Sequence, residues 1–131
     1  EASGNISQIC EIAACVSDNF SLYSGNDDQT VPILSLGGIG CISTVSNIIP
    51  ARYSAMIGEY LSGSWRKAGR EQVAIKPLID AVFAEVNPVP VKAALSMMGM
   101  CSAEYRLPMC PPSNKTQYLL YDTLREFDLV E

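Results

Sequence analysis

The sequence contains no histidine. That excludes His-based triads, His metal sites and His general bases from this chain. It has no basic run, and its nine Lys and Arg stand against fourteen Asp and Glu, a formal net charge of −5. Nothing in it addresses a phosphate backbone, so no nucleic-acid partner is expected. No apolar run approaches the ~20 residues that span a bilayer, so no membrane partner is expected either. There is no CxxC pair, and the cysteines number five, an odd count. A disulfide framework or zinc site is therefore not expected, and reduced thiols in the cytoplasm are the default. Cys10, Cys15, Cys41, Cys101 and Cys110 sit mostly among Ile, Ala and Met and read as small buried apolar residues. An initiator methionine and a signal peptide are also absent, and the opening "EASGN" suggests a piece of a longer polypeptide.

What is present is a chain of 131 residues, 48% hydrophobic and 18% charged, enough for the core of one domain. Residues 6–16 place Ile6, Ile9, Cys10, Ala13 and Val16 on one face of a helix, with Ser3 or Asn5 as cap. "SDN" breaks that pattern and "FSLYS" reads as a short strand. Val31, Leu34 and Ser35 share a helical face, Pro32 suits the first turn, and Gly37 and Gly38 suit the end. "IGCIST" reads as a strand buried on both faces, as parallel strands are. A helix runs from Pro50 to near Gly63. Beyond it the pattern is helical: a stretch broken at Pro77, a helix from near Pro90 to Gly99, a Pro-rich extended segment, and a last helix capped by Ser113 or Asn114. Strands alternating with helices predict parallel βαβ units over residues 1–63, followed by a helical region over 64–131.

In such folds ligands bind beyond the carboxyl ends of the strands. Here those ends are "YSGNDD" and "GCISTVSN". Gly25 removes a side chain where a backbone could approach a ligand closely. Asp27 and Asp28 read as caps for the following helix, with catalysis as the alternative. A metal site is not expected, because adjacent Asp residues on a helix start point different ways and no third ligand is evident. Ile42 reads on periodicity alone as plain core.

"EASGN", "YSGNDD", "LGGIGCISTVSNIIP", "NPVPVKAALSMMG" and "YRLPMCP" occur in the order found in the dihydrodipicolinate synthases (4-hydroxy-tetrahydrodipicolinate synthases), and the chain resembles that family along essentially its whole length. These enzymes belong to the lysine-dependent pyruvate aldolases. The resemblance implies the C-terminal part of a TIM (β/α)8 barrel followed by a C-terminal helical extension. It implies condensation of pyruvate with L-aspartate 4-semialdehyde in lysine and diaminopimelate biosynthesis, without metal or organic cofactor. It also implies a homotetramer, with the N-terminal half of the same barrel as a partner. Sister aldolases of the N-acetylneuraminate lyase or 2-keto-3-deoxy sugar acid type share this chemistry and are the alternative, as is an inactive fragment that only packs with other chains.

Residue by residue, the family's Schiff-base lysine falls immediately before Glu1, so no catalytic residue is expected within this chain; neither Lys76 nor Lys92 matches it. Gly25 matches a glycine lining the pyruvate pocket, and Ile42 an isoleucine contacting the pyruvyl group. Asn47 and Asn87 also match family motifs and are read as loop or cap residues. A complete barrel has eight βα units and about 250 residues. This chain supplies two clear strands and at most the last residues of a third, so alone it is expected to be inactive and not stably monomeric.

Overall fold

The computed structural model describes residues 1–17 and 19–131; Asp18, in the expected "SDN" break, lies outside the described residues. Contacts divide the chain into two compact units, Glu1–Ala74 and Ile75–Glu131.

The first unit begins with helix α1, Ile6–Cys15, whose cap Asn5 accepts a hydrogen bond from Gln8 N at 3.3 Å. Strand β1 is Tyr23–Ser24, helix α2 Thr30–Ser35 and strand β2 Gly40–Cys41. The strands pair in parallel, Tyr23 with Gly40 and Ser24 with Cys41. Bonds from Ile39 N to Leu22 O (2.9 Å) and from Ile42 N to Ser24 O (2.8 Å) carry the pairing one step further at each end. Glu1 joins from the other side: its main-chain nitrogen donates to Tyr23 O at 2.8 Å, and its carbonyl accepts from Gly25 N at 2.6 Å. This is a parallel ladder in which Glu1 stands level with Ser24.

Ile9, Ile12 and Ala13 of α1 pack with Leu22, Ile33 and Leu36 to form the small core behind the strands. Helix α2 turns into β2 through Gly37, at φ 92°, and Gly38, where a Cβ would come within 2.7 Å of the Ile33 carbonyl. Only glycine fits that approach. Helix α3, Pro50–Leu61, starts on its proline and ends in a Schellman turn, with Gly63 N bonded to Tyr60 O and Ser64 N to Glu59 O. Helix α4, Trp65–Ala74, folds back on α3, where Arg52 pairs with Glu71 and Lys67 with Glu59.

The second unit is three helices packed on one another: α5 (Lys76–Val82), α6 (Val89–Met97) and α7 (Asn114–Glu126). Leu78, Ile79, Val82, Ala94, Leu120 and Leu124 are its buried residues of note. Ser113 caps α7, accepting from Thr116 N at 3.3 Å. The Asn87–Pro88 and Leu107–Pro108 peptide bonds are cis. Among the described residues, no helix is long and apolar enough to cross a membrane.

Two expectations need correction. The cysteines are not a buried set: Cys10, Cys15, Cys101 and Cys110 are exposed and Cys41 is half-buried. On α1 the inward stripe runs through Ile9, Ile12 and Ala13, which turns Cys10 and Cys15 away from the core. Nor is the second strand covered on both faces, since Ile39 and Ile42 beside it are 45% and 74% exposed.

Candidate functional site

The carboxyl ends of β1 and β2 meet at Gly25 and Ile42. Side chains of paired residues share a face and alternate along each strand. Tyr23, Gly25, Gly40 and Ile42 therefore stand on one face, and Ser24 and Cys41 on the other. The Tyr23 ring lies where a Cβ on Gly40 would be, at 3.0 Å. A Cβ on Gly25 would meet the Ala2 methyl at 2.8 Å and the Glu1 carbonyl at 3.1 Å. The sequence-predicted pair is thus adjacent and on the same side, with Ala2 closing the edge beside Gly25. Lys76 and Lys92 lie in the second unit: Lys76 pairs with Asp80, and Lys92 sits 5.7 Å from the centre of the Tyr105 ring.

Sequence reasoning did not find what holds this rim. Asp27 is 1% exposed and its carboxylate does not cap its own turn. It crosses to the segment after β2. There it accepts from the Ser43 hydroxyl, from Thr44 N at 2.9 Å and from Val45 N at 3.4 Å. The carboxylate thereby caps the short 3-10 turn Val45–Asn47 from a distance. Ser43 is tied in turn to Ser46, accepting from Ser46 N at 2.9 Å. Asp28 is exposed, and Asn47 donates to Thr44 O within the same turn.

The carbonyl of Asp27 is equally occupied. Gln72 Nε2 donates to it at 3.0 Å, and the Thr30 and Tyr53 hydroxyls lie 3.1 and 3.3 Å from it, one of the pair donating to it. The Tyr53 and Thr30 hydroxyls also share a 2.6 Å bond, and Tyr53 OH reaches Cys41 Sγ at 3.4 Å. Burial is the main force pushing the Tyr53 hydroxyl well above the ordinary tyrosine value, and its bond to Cys41 and the Asp27 charge add to it. Burial likewise raises the Cys41 thiol. These groups work as fixed hydrogen-bond partners at neutral pH. On the opposite face Gly25 lets the Ala2 methyl and the Glu1 carbonyl approach closely, and the exposed Ile42 side chain stands beside them, so this face is open to a compact ligand.

Comparison with known proteins gives a consistent result. The dihydrodipicolinate synthetase family matches residues 1–127. The chain is 45% identical over 131 residues to 4-hydroxy-tetrahydrodipicolinate synthase of Thermoanaerobacter sp. (strain X514), covering 100% of this chain and 44% of that protein. It is similar to the crystal structure of dihydrodipicolinate synthase from Thermotoga maritima, with TM-score 0.96 and 41% identity over 99% of this chain and 45% of that one. It is also similar to the chloride-inhibited dihydrodipicolinate synthase from Acinetobacter baumannii complexed with pyruvate, with TM-score 0.92 and 27% identity over 98% of this chain and 44% of that one. The chain thus spans less than half the length of the relatives it matches.

Proposed function

Because the chain belongs to the dihydrodipicolinate synthetase family, we propose that it is the C-terminal part of a 4-hydroxy-tetrahydrodipicolinate synthase, which condenses pyruvate with L-aspartate 4-semialdehyde in lysine and diaminopimelate biosynthesis. On this reading residues 1–63 carry the last βα units of a TIM barrel. Residues 64–131 are the helical extension, α4 being its first helix although it packs on α3. The remaining strands of the barrel cover the face on which Tyr23 and Ile42 now stand open. The same reading makes the whole protein a cytoplasmic homotetramer, and the exposed Leu61, Trp65 and Val73 offer apolar surface to other chains.

One observation carries the proposal: Glu1 pairs level with Ser24. By that register a residue immediately ahead of Glu1 falls level with Tyr23 and on the face of Gly25 and Ile42. A lysine there would reach the space beside them. Its amine adds to the pyruvate carbonyl, water leaves, and an imine remains. Loss of a methyl proton gives the enamine, whose carbon attacks the aldehyde; hydrolysis then returns the amine. Gly25, lacking a side chain, lets the segment that would carry this lysine pack tightly against β1. The Ile42 side chain keeps water from the amine and favours its neutral, nucleophilic form.

The test is borohydride reduction of the complete polypeptide with pyruvate, followed by intact mass and peptide mapping. The added mass is expected on a lysine directly before Glu1. Mass on Lys76 or Lys92, or no trapping at all, would reject the proposal.

A further inference from the structure

We propose that Asp27 is a positioning residue for this site: its buried carboxylate, bonded to Ser43, Thr44 and Val45, fixes where Ile42 stands beside Gly25. The inference rests on the reading of Gly25 and Ile42 as the pyruvate pocket. A buried carboxylate is costly unless its oxygens are bonded. The nearest way to satisfy this one is the turn that Asp27 itself begins, yet that turn has no side-chain cap. The bonds go instead to three consecutive residues, and the first of them directly follows Ile42.

Asp27 is itself immobilised. Its carbonyl is gripped from α2 by Thr30, from α3 by Tyr53 and from α4 by Gln72. The segment after β2 is therefore tied to a fixed post. Ile42 is held from one side by its own N–H on Ser24 O and from the other by Ser43 on Asp27. Two charge-assisted main-chain bonds and one hydroxyl bond set the height of the Ile42 side chain on the open face beside Gly25. Asp27 touches no reacting atom in this arrangement; it acts through Ile42.

Three variants of the complete polypeptide test this. Asp27→Asn keeps the shape but must turn an amide NH2 toward at least one N–H donor of residues 44–45. Ser43→Ala deletes the hydroxyl bond, and Ser43→Thr keeps it. Steady-state kinetics and borohydride trapping are run against pyruvate concentration. The expected result for Asp27→Asn and Ser43→Ala is a rise of about tenfold in pyruvate KM and in half-saturation of trapping, the usual scale for one lost buried bond. Activity at saturating pyruvate should change much less, and Ser43→Thr should behave as the parent. A merely structural role would lower the yield of active enzyme, hence kcat, and leave pyruvate KM where it was; that result overturns the inference. So does equal behaviour of Ser43→Ala and Ser43→Thr, the comparison that decides if Asp27→Asn does not fold. A parent that traps pyruvate while the variants match it defeats this inference alone. A parent that traps none defeats the function proposal and this inference with it.

Discussion

A Cβ built on Gly25 would lie 2.8 Å from the Ala2 methyl, closer than two carbons can approach. Gly25→Ala in the complete protein should therefore destabilise it by about 1–3 kcal/mol, the range for overpacking a tight site. Adding Ala2→Gly should recover part of the loss, as a double-mutant cycle in denaturant would show. Unchanged stability in the single variant would mean that the two strands separate freely there. On the other face, the raised Tyr53 hydroxyl predicts a pH dependence. Unfolded tyrosine titrates near pH 10, the folded group only above that. Above about pH 10 the unfolded chain binds fewer protons, so stability falls as pH rises. It is whole below the ordinary tyrosine value and is lost on the climb toward the raised one. Cys41, shifted the same way, adds a fall that begins near the ordinary thiol value. Tyr53→Phe should show a shallower alkaline loss, read from urea midpoints over a pH series.

Among the elements, α7 depends on its cap. The Ser113 hydroxyl accepts from Thr116 N and donates to Glu85 at 2.7 Å, while Ser113 N donates to the same carboxylate at 3.0 Å. Ser113→Ala should cost about 1 kcal/mol, the usual loss for a capping hydroxyl, measured by thermal or denaturant unfolding. The Ser113 bonds, ahead of other causes, hold the Glu85 carboxyl below its ordinary value. That tie is present above the ordinary glutamate value and lost as pH falls through the lowered one. The sequence narrowed this cap to Ser113 or Asn114 and that of α1 to Ser3 or Asn5, and it marked the Pro50 start and the Gly63 and Gly99 ends, because caps and stops are written within a few residues of where they act. The strands were legible in place, though the ladder itself is only two residues in each. Gly25 and Ile42 were singled out by family resemblance, and the parallel register sets them side by side. Asp27 was misread as a local cap. Its carboxylate bonds residues 16 to 18 positions away, and no short-range pattern encodes such a span. The cysteines were misread because apolar sequence neighbours do not fix which face of a helix a residue takes.

At the scale of the whole molecule, two paired strands leave one face bare, with Tyr23 41% and Ile42 74% exposed, while Ile39, which alternates to the other face, is 45% exposed. An open sheet edge and an uncovered face both invite association. The 131-residue chain on its own is expected to sediment as oligomers or aggregates and to show no pyruvate-dependent condensation. A monodisperse monomer by analytical ultracentrifugation would contradict the first expectation and measurable turnover the second. Within the first unit Asp27, in the loop following β1, fastens three helices through its peptide oxygen and the loop following β2 through its carboxylate. Such a junction tolerates no change of chain length. One residue inserted between Ser24 and Thr30 would put the carboxylate and the carbonyl out of phase with their partners simultaneously, whereas an insertion among the exposed residues 101–104 would disturb none of these bonds. Natural and engineered variation in loop size should accordingly be absent from the first segment and permitted in the second.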